Sequence, residues 1–168
     1  MANKMQFSAD YLQESENAFP PAHTTEHLLN QTMVQLFGCE RSRQAQIERK
    51  KSTMSFVLDH KPSRQEEKEI TKRMNELIDN DLPITTELVT IEDLPEDIAA
   101  NDQWGSDALN NQWDGETPVR LVRIGDYDVW PCQGKHVRST AQIGYFEVIN
   151  TSWNEHERLF TIRFKVVC

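Results

Sequence analysis

The most regular apolar pattern in the chain follows Ser63, where Ile70, Met74, Leu77 and Ile78 recur at the i, i+4, i+7, i+8 spacing of one helical face. Ser63 with Glu66 three positions on forms a capping-box signature, so a helix is predicted to about Asp79. An earlier helix is predicted from Ala22 to Phe37, after the stop made by Pro20 and Pro21. Its apolar positions include Leu28, Leu29, Val34 and Leu36, and Gly38 ends it. Between the two, Met54, Phe56 and Leu58 alternate at period two, which predicts a hairpin over Arg41 to Asp59 with its charged turn near Arg49 to Lys51.

Beyond the second helix, Ile84 to Ile91 is rich in β-branched residues and reads as a strand, and Pro95 suits the first turn of a short helical piece. Asn101 to Thr117 reads as a long polar connection. Val119 to Ile124, Gln142 to Ile149 and Leu159 to Val167 read as three further strands. This order predicts one α+β domain over residues 1–168, with helices packed on one face of a largely antiparallel sheet.

With 38% apolar and 27% charged residues over 168 positions, the chain can bury one sizeable core. No run reaches the ~18 consecutive apolar residues of a membrane helix, and Met1 to Asp10 lacks a signal-peptide layout. A cytoplasmic protein without a membrane partner is therefore expected. Cys39, Cys132 and Cys168 are odd in number and widely spaced, which argues for free or metal-bound thiols over a disulfide framework. A net charge of -9 opposes dense, non-specific binding of nucleic acid. Arg41, Arg43, Arg49, Lys50 and Lys51 are nevertheless bunched, and they read either as one local basic face or as a solvated strand and turn.

Two of the five histidines, His23 and His27, stand at i, i+4 in the first predicted helix, which puts both imidazoles on one face. Taken alone, such a pair is better explained by surface or core histidines. A second pair, Cys132 and His136, brackets Gln133-Gly134-Lys135 behind Pro131. Zinc favours His nitrogen and Cys sulfur in a tetrahedron, so the two pairs together point to one zinc ion clamping the helix to a distant loop. His60 and His156 have no comparable partner in the sequence.

Both pairs sit in motifs that resemble the editing domain shared by alanyl- and threonyl-tRNA synthetases, and especially the small free-standing alanyl-tRNA editing proteins called AlaX. The family's H-x-x-x-H followed by Leu-Leu matches His23 to Leu29, and its Cys-Gly-Gly-Thr-His-Val matches Cys132 to Val137. Val119 to Gly125 and Ala141 to Phe146 look like the flanking family segments. The resemblance covers nearly the whole chain. It implies a zinc-dependent trans-editing hydrolase that deacylates mischarged tRNA, with His23, His27, Cys132 and His136 as metal ligands and catalytic centre. Ser-tRNA(Ala) is the expected substrate, threonine-type editing is the sibling reading, and no use of ATP is expected. Rejecting a substrate that lacks a hydroxyl requires polar pocket residues. Thr24, Thr25, Gln44, Gln46 and Lys135 are the candidates for substrate contact. Gln133 and Lys135 depart from the family's Gly and Thr, which puts the loop's shape in question. A zinc-stabilised binding module without hydrolysis is the reading from a different class.

Overall fold

The computed structural model describes residues 19–101 and 118–168. Helix α1 spans Pro20–Phe37, with the two prolines at its first positions, where a missing N–H leaves no bond unmade. Gly38 stops it in the left-handed conformation (φ 67°), and the Gly38 N–H donates to the Val34 carbonyl. Strands β1 (Gln44–Gln46) and β2 (Ser52–Val57) follow as an antiparallel hairpin pairing Ala45 with Met54. Helix α2 (Arg64–Asp79) begins at the expected capping box. Ser63 Oγ accepts from the Glu66 N–H, and the Glu66 carboxylate accepts from the Ser63 N–H.

Strand β3 (Ile84–Val89) leads into a 3-10 turn at Ile91–Asp93 and the one-turn helix α3 (Glu96–Ala99). The chain is described again through β4 (Val119–Ile124), β5 (Asp128–Pro131), β6 (Tyr145–Asn154) and β7 (Leu159–Val167). All but the first residue of the expected Asn101–Thr117 connection lies outside the described residues.

The architecture is α+β and antiparallel, but the strands form two sheets rather than one. One runs in the order β1-β2-β7-β6 and the other in the order β3-β4-β5. In the first sheet Met54 pairs with Ile162 and Phe56 with Phe160. These buried side chains pack under Leu28, Leu29 and Met33 of α1 and under Ile70, Met74 and Ile78 of α2. A second, smaller core joins Leu94, Ile98, Val119, Leu121 and Trp130.

One expectation is corrected here, and one element is new. The segment Gln142–Ile149 does not start as a strand. Thr140–Ile143 is a 3-10 turn, and Gly144 (φ 93°) redirects the chain into β6, which then runs on to Asn154. The short strand β5 was not foreseen, and it is the element that delivers half of the site.

Candidate metal centre

Helix α1 presents His23 and His27 one turn apart toward the segment that leaves β5. Cys132 stands one residue past the last β5 pair, Leu121 with Pro131, and its N–H donates to the Arg120 carbonyl at 3.0 Å, which extends the ladder by one bond. Arg120 Nη1 then donates to the carbonyls of Cys132 (3.2 Å) and Gly134 (2.7 Å) and fixes the bend that returns His136 to the helix. Neither Gln133 nor Gly134 takes a positive φ, so a glutamine where the family motif has glycine costs no backbone strain.

The four expected ligands meet. One donor atom each from His23, His27, Cys132 and His136 lie within 4.8 Å of one another. The rings of His23 and His136 stack at 4.4 Å between centroids, and His27 stands edge-on to His136 at 4.7 Å. His23 Nε2 is 3.5 Å from Cys132 Sγ. Ordinary zinc–nitrogen and zinc–sulfur lengths around a tetrahedron place such atoms about 3.6 Å apart.

Hydrogen bonds to a backbone carbonyl and to a threonine hydroxyl orient two of the rings for a metal, and a carboxylate faces the third, as is usual for ligating histidines. His23 Nδ1 donates to the Lys135 carbonyl at 3.2 Å, which leaves the Nε2 lone pair toward Cys132. His136 Nδ1 bonds Thr24 Oγ1 at 2.9 Å, and its Nε2 is buried without any partner among the described residues. His27 Nδ1 faces Asp128 Oδ2 at 3.8 Å, so Nε2 is the atom left for the centre. A buried, partnerless imidazole nitrogen beside a thiol is costly in a protein interior unless a cation takes it. The residues present therefore fit a metal ion, and the three-nitrogen, one-sulfur set suits zinc.

The electrostatics agree. Burial pushes the Cys132 thiol up, yet the charge on His27 and hydrogen bonds from all three imidazoles outweigh it and hold the thiol well below its ordinary range. His27, in spite of burial, is raised to about 9, chiefly by the Cys132 thiolate and by Asp128. Burial lowers His136 to about 4. Asp128 is nearly inaccessible. Arg41 holds it in a two-pronged contact, with Nη1 to Oδ1 at 2.8 Å and Nη2 to Oδ2 at 3.4 Å, and this interaction keeps the carboxyl low against the effect of burial. The Arg41 guanidinium in turn lies 4.2 Å over the Trp130 ring. Arg41 is thus a buried structural cation, which removes it from the basic face that the sequence suggested.

Beside the cluster opens a cleft of about 250 Å³, walled by His23, His27 and Cys132 together with Glu26, Asn30 and Trp130. Sequence reasoning missed the last three. Asn30 Oδ1 accepts the Ser42 N–H at 2.7 Å, so its amide nitrogen is turned away from that bond and has no partner among the described residues. Burial raises the Glu26 carboxyl.

The substrate-contact candidates fall elsewhere. Thr24 and Thr25 are fully buried. Thr24 accepts the Val137 N–H and bonds His136, while Thr25 donates to the Pro21 carbonyl, so both support the centre from behind. Gln44 and Gln46 are exposed on β1 and flank Ala45, which is the β1 residue that borders the cleft. Gln44 lines a separate groove with Phe37 and Val57. Lys135 is exposed and serves the site through its carbonyl.

A three-histidine, one-cysteine cluster that ties a helix to a strand end, with an open polar cleft beside it, defines an α+β domain with a candidate metal centre. Residues 119–158 match the family described as the threonyl and alanyl tRNA synthetase second additional domain. The chain is 30% identical over 155 residues to an alanine–tRNA ligase of Pediococcus pentosaceus, covering 89% of this chain and 17% of the ligase. It is 30% identical over 132 residues to that of Bacillus subtilis (77% and 14%), and 34% identical over 129 residues to that of Streptococcus suis (76% and 14%). The chain belongs to the editing-domain family of alanyl- and threonyl-tRNA synthetases, and it spans about one sixth or less of the length of these relatives. No helix among the described residues is long and apolar enough to cross a membrane.

Proposed function

We propose that this domain hydrolyses the ester of mischarged tRNA, with Ser-tRNA(Ala) as substrate, acting in trans at a zinc ion held by His23, His27, Cys132 and His136. The observation that carries the reading is the cleft beside the cluster. A purely structural zinc site has no need of a polar opening at its ligands, whereas a hydrolase must admit an ester there.

Zinc at this site would supply Lewis acidity toward the ester or toward water. The chain's own residues do the rest. Thr24, the Lys135 carbonyl and Asp128 fix the orientation of His136, His23 and His27. The Asn30 amide nitrogen offers a hydrogen-bond donor to a carbonyl or hydroxyl group, and a site built around such a donor favours serine over alanine. The apolar wall from Trp130 and Pro131 excludes water from one side.

The test is release of serine from pre-charged Ser-tRNA(Ala) by the purified zinc-loaded chain. Correctly charged Ala-tRNA(Ala) and the double variant Cys132→Ala, His136→Ala serve as controls. Selective release that disappears in the variant supports editing. No release from any mischarged tRNA favours the second reading, a zinc-stabilised binding module, which the closed set of four protein ligands already fits.

A further inference from the structure

Charge in the cleft is unevenly satisfied. Both guanidiniums that border it are bound to carboxylates of their own, Arg41 to Asp128 and Arg43 to Glu40 at 3.0 Å. Glu26 is the only acid among the described residues that lines the cleft, and it accepts no hydrogen bond from any of them. His23 Nε2 stands 3.7 Å from it, beyond hydrogen-bond reach, and that nitrogen faces the metal cluster. The Glu26 side chain is a quarter exposed, so a ligand in the cleft can reach it, while water can solvate it only in part. A half-desolvated carboxylate with no donor of its own is a receptor for a cationic group.

The helix fixes where that group would lie. Glu26 stands three residues after His23 and one before His27, so its carboxylate sits beside the cluster but outside the set of four donors. Asn30 follows one turn later on the same side and also borders the cleft. An aminoacyl ester whose carbonyl lies toward the cluster carries its ammonium group on the carbon next to that carbonyl, two bonds away. Glu26 and Asn30 thus form a short row along α1, an acceptor of positive charge followed by a neutral donor.

On this basis, and resting on the aminoacyl-ester reading above, we propose that Glu26 binds the α-ammonium group of the substrate. The site is then selective for esters of amino acids with a free amino group and rejects N-acylated and hydroxyacyl esters.

The experiment measures binding rather than turnover. The zinc-loaded protein is titrated with 3′-amino-3′-deoxyadenosine carrying serine through a hydrolysis-resistant amide, and with the matched 3-hydroxypropionyl compound that lacks only the ammonium. The wild type is expected to bind the seryl compound about 10-fold or more tightly than the other, as a charge-assisted hydrogen bond implies. Glu26→Gln is expected to bind the two equally and Glu26→Asp to recover part of the preference, with the zinc content of both variants unchanged. A preference that survives in E26Q, or equal binding by the wild type, overturns the role of Glu26. Loss of zinc in E26Q makes Glu26 part of the metal centre and does the same. Failure of the wild type to bind either compound sinks the aminoacyl reading along with this one.

Discussion

Replacing Asp128 with asparagine should damage stability and metal binding together, because one buried carboxylate serves both Arg41 and His27. Asp128 and Arg41 have side chains only 2% and 8% exposed, so neither can turn to bulk water when its partner is lost. Removing one member of such a buried pair costs about 3–5 kcal/mol, and here Arg41 loses its buried carboxylate while keeping its contact with Trp130. Asparagine keeps the shape and one acceptor, which places Asp128→Asn near the lower figure, about 3 kcal/mol. With a urea slope of roughly 1–3 kcal/mol per molar, the unfolding midpoint should fall by about 1–3 M. The measurement is urea unfolding of the zinc-free protein, followed by competition for zinc against a chelator of known affinity. Loss of the group that faces His27 Nδ1 should weaken zinc by about 10–100-fold. The double variant Arg41→Met, Asp128→Leu separates the two effects. Removing both charges should restore most of the stability, since apolar replacement of a buried pair is often close to neutral, while zinc binding stays weak. A single variant within about 1 kcal/mol of the wild type, or a double variant less stable than the sum of its parts, would refute the account.

Other consequences can be checked separately. Because Arg41 holds the Asp128 carboxyl low, its stabilising charge is present above the ordinary carboxylate range and is lost as pH falls through the lowered folded value. The wild type should therefore lose more stability than Asp128→Asn below about pH 4, as read by thermal unfolding across that range. Zinc binding should weaken as pH falls from 7.5 to 5.5, because protons compete for the thiolate and imidazole ligands, and an affinity independent of pH over that interval counts against this ligand set. Ser63→Ala removes the acceptor for the Glu66 N–H and should cost about 1 kcal/mol, or about 2–4 °C in melting temperature, without affecting zinc. Gly144→Ala should be more disruptive. A Cβ there would meet the Val167 carbonyl oxygen at 2.1 Å on a backbone with φ of 93°, so the turn into β6 must open. A melting temperature equal to that of the wild type would contradict this.

What could be read in the sequence divides along the range of the interactions. Helix α2 was legible because its signals are local, with a capping box at Ser63 and Glu66 and an apolar stripe from Ile70 to Ile78. The four candidate ligands were legible because they lie in two short motifs. Strand β5 was not, since Asp128-Val129-Trp130-Pro131 is four residues long and gains its strand character from pairing with β4. The division into two sheets was hidden for a similar reason, because which strand edges pair is decided across the chain. At the turn before β6, Thr140–Ile143 closes into a 3-10 turn and the positive φ of Gly144 redirects the chain, neither of which the residue pattern announces.

The same distinction explains why the sequence marks the four candidate ligands but not the residues packed behind them. Arg41 reads as part of a basic run, and Asp128 carries no mark of its own, since nothing within ten positions of either reveals the other. They meet over 87 positions and are defined by that encounter, with Trp130 as the third member. Glu26 carried a local signal that went unread, a carboxylate between two histidines on one helical face. Thr24 and Thr25 are polar and lie between the candidate ligands, which along the sequence makes them pocket candidates. Helical geometry decides otherwise, since the face that carries His23 and His27 turns Glu26 and Asn30 to the cleft and buries both threonines behind it. Polarity along the chain therefore marks the candidate site, but the side of the helix on which each group stands decides whether it faces the cleft.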